Sequence, residues 1–337
     1  MADSSFRTLF IPEKSSLAVH HSQPVILFGS CFSTHIGERL KKSGFNSLIN
    51  PFGVLYNPIS IVNAIERCST NRLYTADELM CHNDLWLSPD HHGSYSKPEQ
   101  TEALQGINDE IATAYSEFQQ NPLLIITLGS AHVYRDKQTN HIVGNCHKIP
   151  ARNFSKELLS VEAIVKRFSA CLNQLFKSDA SLQVLFTISP VRYLSDGFFE
   201  NQLSKSILHL SVAKLMERFP QVHYFPAYEI MMDDLRDYRF YADDMLHPSP
   251  MAVDYIWKQF ESAYFSLETH RLANEIIELH KAAEHRPFRK ESEAYHTFLN
   301  KHVQKIDRLQ KQNPQLNLSE LRHRFEGKVG ESKGERP

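Results

Sequence analysis

The chain has 337 residues, 42% of them hydrophobic, with 12 Gly and 16 Pro: enough apolar material for a sizeable core, with no sign of low complexity. Lys and Arg number 37 against 39 Asp and Glu, so the basic footprint that nucleic-acid binding requires is absent and no polyanion partner is expected. No stretch approaches the ~18 apolar residues of a membrane span, Met1 to Arg7 lack the character of a secretory signal, and five scattered cysteines with no CxxC pair suit free thiols; a cytoplasmic protein with no membrane partner is expected.

Pro24-Val25-Ile26-Leu27-Phe28 reads as a buried strand that stops at Gly29. The helix expected next, from Ser33 to Lys42, sets Ile36 and Leu40 on one face. A side chain at the junction, Ser30 or Cys31, would sit at a sheet edge on the positive end of a helix dipole. Phe45 to Asn50 reads as a second strand running into Pro51-Phe52-Gly53, and Asn57-Pro58 opens a helix through Ile59, Val62 and Ile65. From Thr70 to Gln100 the periodicity fails, and this stretch, with Asp90-His91-His92-Gly93-Ser94, is expected to be a long functional loop. A helix from Thr101 to Gln119 precedes a buried strand at Pro122 to Leu128, which again ends in Gly-Ser, at Gly129-Ser130.

His141 to Ile149 reads as a small hairpin, Ser155 to Phe176 as a helix, and Leu182 to Ile188 as a third strong strand that ends in Ser189-Pro190-Val191-Arg192. A helix from Glu200 to Phe219, a strand at Val222 to Phe225, a polar loop through Asp244 and His247, and a helix from Met251 to Phe265 follow. Strands alternating with helices predict an α/β fold: a doubly wound, mainly parallel sheet of five strands in flavodoxin-like order. Residues 1–265 are expected to form this domain and residues 266–337 a helical extension, with exposed, charge-rich helices at Ala273 to His285 and Glu291 to Gln312 and a disordered basic tail from Gly327.

Asp244 and His247 are three apart, a spacing that lets the carboxylate orient one imidazole nitrogen while the other faces a substrate. Arg192, at the end of a strong strand, either binds an anionic substrate group or pairs with Asp196 or Asp244. His91 or His92 with His132 and His147 would supply a zinc site only if the loops curve together; otherwise they line the pocket. No cofactor is expected.

Four segments together, Phe28-Gly29-Ser30-Cys31-Phe32-Ser33, Asn50 to Pro58, Asn145-Cys146-His147-Lys148-Ile149-Pro150 and Asp244-Met245-Leu246-His247-Pro248, resemble GSCFA-domain proteins, a family similar to the GDSL, or SGNH, hydrolases. The resemblance covers about Pro24 to Phe260 and not the helical extension. It implies a flavodoxin-like hydrolase that acts on an O-acylated small molecule or carbohydrate by hydrolysis or acyl transfer. Laid over the Gly-Asp-Ser of SGNH enzymes, the opening turn puts Cys31 at the nucleophile, with Ser30 the alternative if the turn shifts by one residue. A third possibility is that Cys31 is simply a small buried apolar group. The resemblance makes His247 the base and Asp244 its partner, and assigns an oxyanion donor to the N–H of Gly53. The family's usual Gly-x-Asn-Asp block reads Gly129-Ser130-Ala131-His132 here, so Asn145 is the candidate for the missing amide. A non-catalytic ligand-binding domain and a metal-dependent hydrolase are the competing readings.

Overall fold

The computed structural model describes residues 8–334. In chain order the elements are β1 (Val25–Gly29), α1 (Cys31–Lys42), β2 (Ser47–Ile49), α2 (Pro58–Ser69), β3 (Met80–His82), β4 (Leu85–Leu87), α3 (Gln100–Phe118), β5 (Leu123–Leu128), β6 (His132–Asp136), β7 (Ile142–Val143) and β8 (Phe154–Leu158). There follow α4 (Val161–Ser178), β9 (Gln183–Ile188), α5 (Phe198–Arg218), β10 (Val222–Phe225), the short α6 (Ala227–Glu229) with a π turn at Ile230–Asp234, α7 (Pro250–Tyr264), α8 (Leu267–Glu284), α9 (Glu293–Gln312) and α10 (Ser319–Gly334).

Five strands make one sheet in the order β10-β9-β5-β1-β2, every neighbouring pair parallel. Numbered along the chain this is 2-1-3-4-5, the flavodoxin-like order that the alternation of strands and helices predicts. The strand period of two divides the core. Ile26 and Phe28 of β1 pack with Ile61, Ile107 and Phe168 from α2, α3 and α4, whereas Val25 and Leu27 pack with Ile36 of α1 and Phe260 of α7. Both faces are thus covered, which is why these strands read as unbroken apolar runs. Order reverses between β1 and β5, so the crevice beyond their carboxyl ends is where such a sheet holds a ligand.

Three stretches depart from expectation. The region from Thr70 to Gln100 is not featureless, because β3 and β4 pair as an antiparallel hairpin. Ser155 does not start a helix. Phe154 and Leu158, four apart, imitate a helical face, yet β8 pairs antiparallel with β6, from Asp136 opposite Phe154 to His132 opposite Leu158. With β7 on its other side, β6 is the centre of a three-stranded sheet, and of the hairpin expected from His141 to Ile149 only β7 forms, its partner being the upstream β6.

The helices after Ser266 are not merely solvated. Ile276 and Leu279 of α8, Tyr295, Leu299, Ile306 and Leu309 of α9, and Leu321 and Phe325 of α10 form a separate apolar core, while Ala273 of α8 belongs to the core of the sheet. Residues 327–334 continue α10 where disorder was expected, and residues 335–337, like Met1 to Arg7, lie outside the described residues. Among the described residues no helix is long and apolar enough to cross a membrane.

Candidate active site

The turn after β1 is built on Gly29. Its φ is +136°, and a Cβ there would lie 2.1 Å from the Thr127 carbonyl oxygen on β5, so only glycine lets the two strand ends approach this closely. Ser30 follows as the N-cap of α1, its Oγ accepting the Phe32 N–H at 3.3 Å, and is 1% exposed. Cys31 is the first helical residue, and it lines a cavity of about 530 Å³ to which Ser30 does not contribute. The neighbouring Ser33 fixes the turn, donating to Thr127 Oγ1 at 2.7 Å.

His247 lines the same cavity. Its Nδ1 donates to Asp244 Oδ2 at 2.6 Å, while Asp244 Oδ1 accepts the backbone N–H groups of Leu246 and His247, both at 2.9 Å. Those backbone bonds first, and the imidazole next, hold the Asp244 carboxyl at about 2. An ionised carboxylate only accepts, so the Nδ1 of His247 carries the proton of that bond. The loop is pinned at both ends: Ala242 N–H donates to His247 O at 2.8 Å, and Ser249 N–H to Phe240 O at 2.8 Å. Among the described residues no hydrogen bond joins Cys31 to His247; both line the cavity, Cys31 from the start of α1 and His247 from the loop before α7.

Burial pushes the Cys31 thiol up, against the pull of the Phe32 and Cys31 backbone amides and of the Lys205 charge. The resting group is therefore the thiol. Lys205, which sequence reading passes over inside a helix, is 1% exposed, and its Nζ donates to the carbonyls of Gly129 at 2.8 Å and Ser189 at 2.9 Å. It ties the ends of β5 and β9 together under the cavity, and burial takes its ammonium down to about 7. Its position on the buried stripe with Leu208, Val212 and Leu215 is the signal that marks it in the sequence.

Gly53 does not meet its expected role. Its N–H is spent on Asn50 O at 2.6 Å in a tight turn, and its φ of +73° with a prospective Cβ 2.2 Å from His92 Cβ explains the glycine on steric grounds alone. The next residue, Val54, lines the cavity, and its N–H makes no hydrogen bond among the described residues. Asn145 also lines the cavity; because its Oδ1 accepts the His147 N–H at 2.9 Å, the amide is oriented with Nδ2 as the remaining donor.

A model of the GSCFA family matches residues 24–260, and one described as the GSCFA domain protein, C-terminal domain, matches residues 276–329. The chain belongs to the GSCFA family. No curated protein matches it. Among solved structures this GSCFA protein is similar to an acetyl xylan esterase from the rumen bacterium Butyrivibrio proteoclasticus, with 13% identity and a TM-score of 0.36 over 77% of this chain and 65% of that one. It is also similar to a serine-to-alanine mutant of an acetyl esterase with acetate ion, with 11% identity and a TM-score of 0.31 over 75% of this chain and 99% of that one. The GSCFA chain thus spans less than two thirds of the xylan esterase.

The remaining histidines of this GSCFA protein separate. His92 and His132 line the cavity, His92 with Nδ1 3.0 Å from Ser94 Oγ and His132 with Nδ1 3.9 Å from Asp196 Oδ2. His91 is fully buried, stacked on Phe52 at 4.1 Å between centroids, and burial takes it down to about 3. His147 turns away to place Nε2 2.8 Å from Ser88 O. The zinc arrangement is therefore not assembled: among the described residues no three His, Cys, Asp or Glu side chains are grouped to hold a metal ion. Arg192 lines the cavity and pairs with neither Asp196 nor Asp244; its Nε donates to Met232 Sδ at 3.1 Å.

Proposed function

We propose that the protein is a cysteine-dependent acyl hydrolase of SGNH type, acting on an O-acylated small molecule or carbohydrate. One observation carries the reading: Cys31, at the start of a helix, opens into the cavity that receives His247, whose Nδ1 is tied to an ionised Asp244. Cys31 Sγ attacks the ester carbonyl carbon as His247 Nε2 takes the thiol proton. The resulting oxyanion meets the N–H groups of Cys31 and Val54 and the Nδ2 of Asn145, donors already fixed by the surrounding turns. The carbon–oxygen bond then breaks, the leaving oxygen takes the proton back from His247, and a thioester remains on Cys31. Water, deprotonated by His247, attacks the thioester, releasing the carboxylic acid and restoring the thiol; an acceptor alcohol in place of water gives acyl transfer.

The buried N-cap role of Ser30 favours Cys31 as the nucleophile over its neighbour. Five free cysteines, two of them, Cys31 and Cys146, in this cavity, suit work in a reducing compartment such as the cytoplasm. The test is turnover of an aryl acetate by the full chain. Wild type should hydrolyse it, and Cys31→Ala and His247→Ala should each lose at least ~10³-fold in kcat/KM while keeping their circular dichroism spectra. Turnover that survives either substitution would overturn the proposal.

A further inference from the structure

The cavity wall is unbalanced in charge. Of the described side chains that line it, Arg192 and Lys156 are cationic, and no Asp or Glu is among them. This contrasts with the chain as a whole, where acids outnumber bases by 39 to 37. Lys156 is neutralised by its ion pair with Asp196, and Asp244 is committed to His247. Arg192 is left with a thioether sulfur as its hydrogen-bond partner through Nε, and no carboxylate pairs with it among the described residues. The Lys205 ammonium beneath the floor is likewise held by carbonyls and not by an acid. A half-buried guanidinium facing an acid-free cavity has the fork geometry that receives a carboxylate or phosphate through two parallel N–H bonds.

We propose that the ester this site takes carries a negatively charged group, a carboxylate or a phosphate, which Arg192 binds while the acyl carbon lies at Cys31. The inference rests on the acyl-hydrolase reading for the identity of the reacting group, though not for the charge. Two matched sets of probes test it. Binding to Cys31→Ala protein, which cannot turn over, is measured by calorimetry for 4-hydroxybenzoate, 4-hydroxyphenyl phosphate and the neutral methyl 4-hydroxybenzoate. Hydrolysis by the otherwise wild-type chain is measured for 4-acetoxybenzoate, 4-acetoxyphenyl phosphate and methyl 4-acetoxybenzoate.

At least one anion should bind tenfold or more tightly than the neutral ester and be preferred by a similar factor in kcat/KM; which anion it is separates a carboxylate from a phosphate substrate. The ionised carboxylate makes the phenol a poorer leaving group than the methyl ester does, so a preference for 4-acetoxybenzoate cannot come from intrinsic reactivity. Arg192→Gln should bring the anion-to-neutral ratio to about one, and Arg192→Lys, which keeps the charge without the fork, should restore part of it. Equal binding of neutral and charged probes, or a preference that survives Arg192→Gln, would overturn the proposal. Anion preference in binding without turnover of any ester would sink the hydrolase reading and leave this one standing.

Discussion

Replacing Ser30 and Cys31 in turn separates scaffold from chemistry at adjacent positions. Ser30→Ala removes the Oγ that caps the Phe32 N–H at 3.3 Å. Loss of a serine N-cap costs about 1 kcal/mol, within a usual range of about 0.5–2. Two features pull in opposite directions here: the bond is long, which lowers the cost, and the site is 1% exposed, which keeps water from replacing the lost acceptor and raises it. A loss of about 1 kcal/mol spread over the unfolding entropy of 337 residues lowers Tm by only about 1–3 °C. Because the hydroxyl is not part of the cavity wall, kcat/KM on an aryl acetate should change by less than about threefold. Cys31→Ala should do the reverse, leaving Tm within about 2 °C and removing activity by at least ~10³-fold. Differential scanning calorimetry and initial rates on the two variants are sufficient. If Ser30→Ala abolishes turnover with Tm unchanged, the nucleophile is the serine and the assignment of the turn is wrong.

Asp244→Asn should lower kcat by roughly 10³–10⁴ with little change in fold, because the amide oxygen would keep the two backbone N–H bonds and turn its NH₂ toward His247 Nδ1, forcing the proton onto Nε2 where the base is needed. Burial takes Lys205 down to about 7 and pushes the Cys31 thiol up, so Lys205 is neutral where Cys31 ionises; Lys205→Met should therefore leave the pH midpoint for iodoacetamide alkylation of Cys31 unchanged, and an upward shift would show that an ammonium persists beside the thiolate. Lys205 also makes a stability prediction. Burial takes it down to about 7, so between about pH 7 and 10 the unfolded chain binds more protons, and stability should rise with pH across that window in wild type relative to Lys205→Met. His91 gives the acid counterpart: buried neutral at about 3, it binds fewer protons than the unfolded chain between about pH 3 and 6.5, so stability falls as pH drops through that range, and His91→Phe should flatten the fall in urea titrations at pH 4 and 7.

The parallel sheet was legible because buried strands carry their own signal: Val25 to Phe28 and Leu123 to Leu128 are apolar on both faces, and each stops at a glycine-serine turn on the same edge. The Asp244 and His247 pair was legible because its geometry is local, one side chain reaching three residues along the chain. The three-stranded sheet was not, because β6 and β8 are short and half exposed, and Phe154 with Leu158 fits a helix as well as a strand until the partner is known. Which backbone N–H is free at the second loop is set by a turn and not by residue type, so Gly53 drew the assignment that its hydrogen bond to Asn50 forbids, and Val54 was overlooked. Lys205 escaped notice because a lysine on a helix is ordinarily solvated; only the carbonyls of Gly129 and Ser189, 76 and 16 residues away, make burial tolerable. The apolar stripe of Tyr295, Leu299, Ile306 and Leu309 was thin against the charge around it, and its covering helix is supplied by the last part of the chain.

In the proposed mechanism an acyl-thioester at Cys31 is the species on which the chemistry turns. Mixing the full chain with an aryl acetate, quenching in acid within the first turnover and mapping the peptides by mass spectrometry reads it directly. One acetyl group should appear on Cys31, removable by neutral hydroxylamine as a thioester is, and it should fail to form in His247→Ala. An acetyl group on Ser30, or steady turnover with Cys31 never modified, would contradict a cysteine nucleophile at this turn.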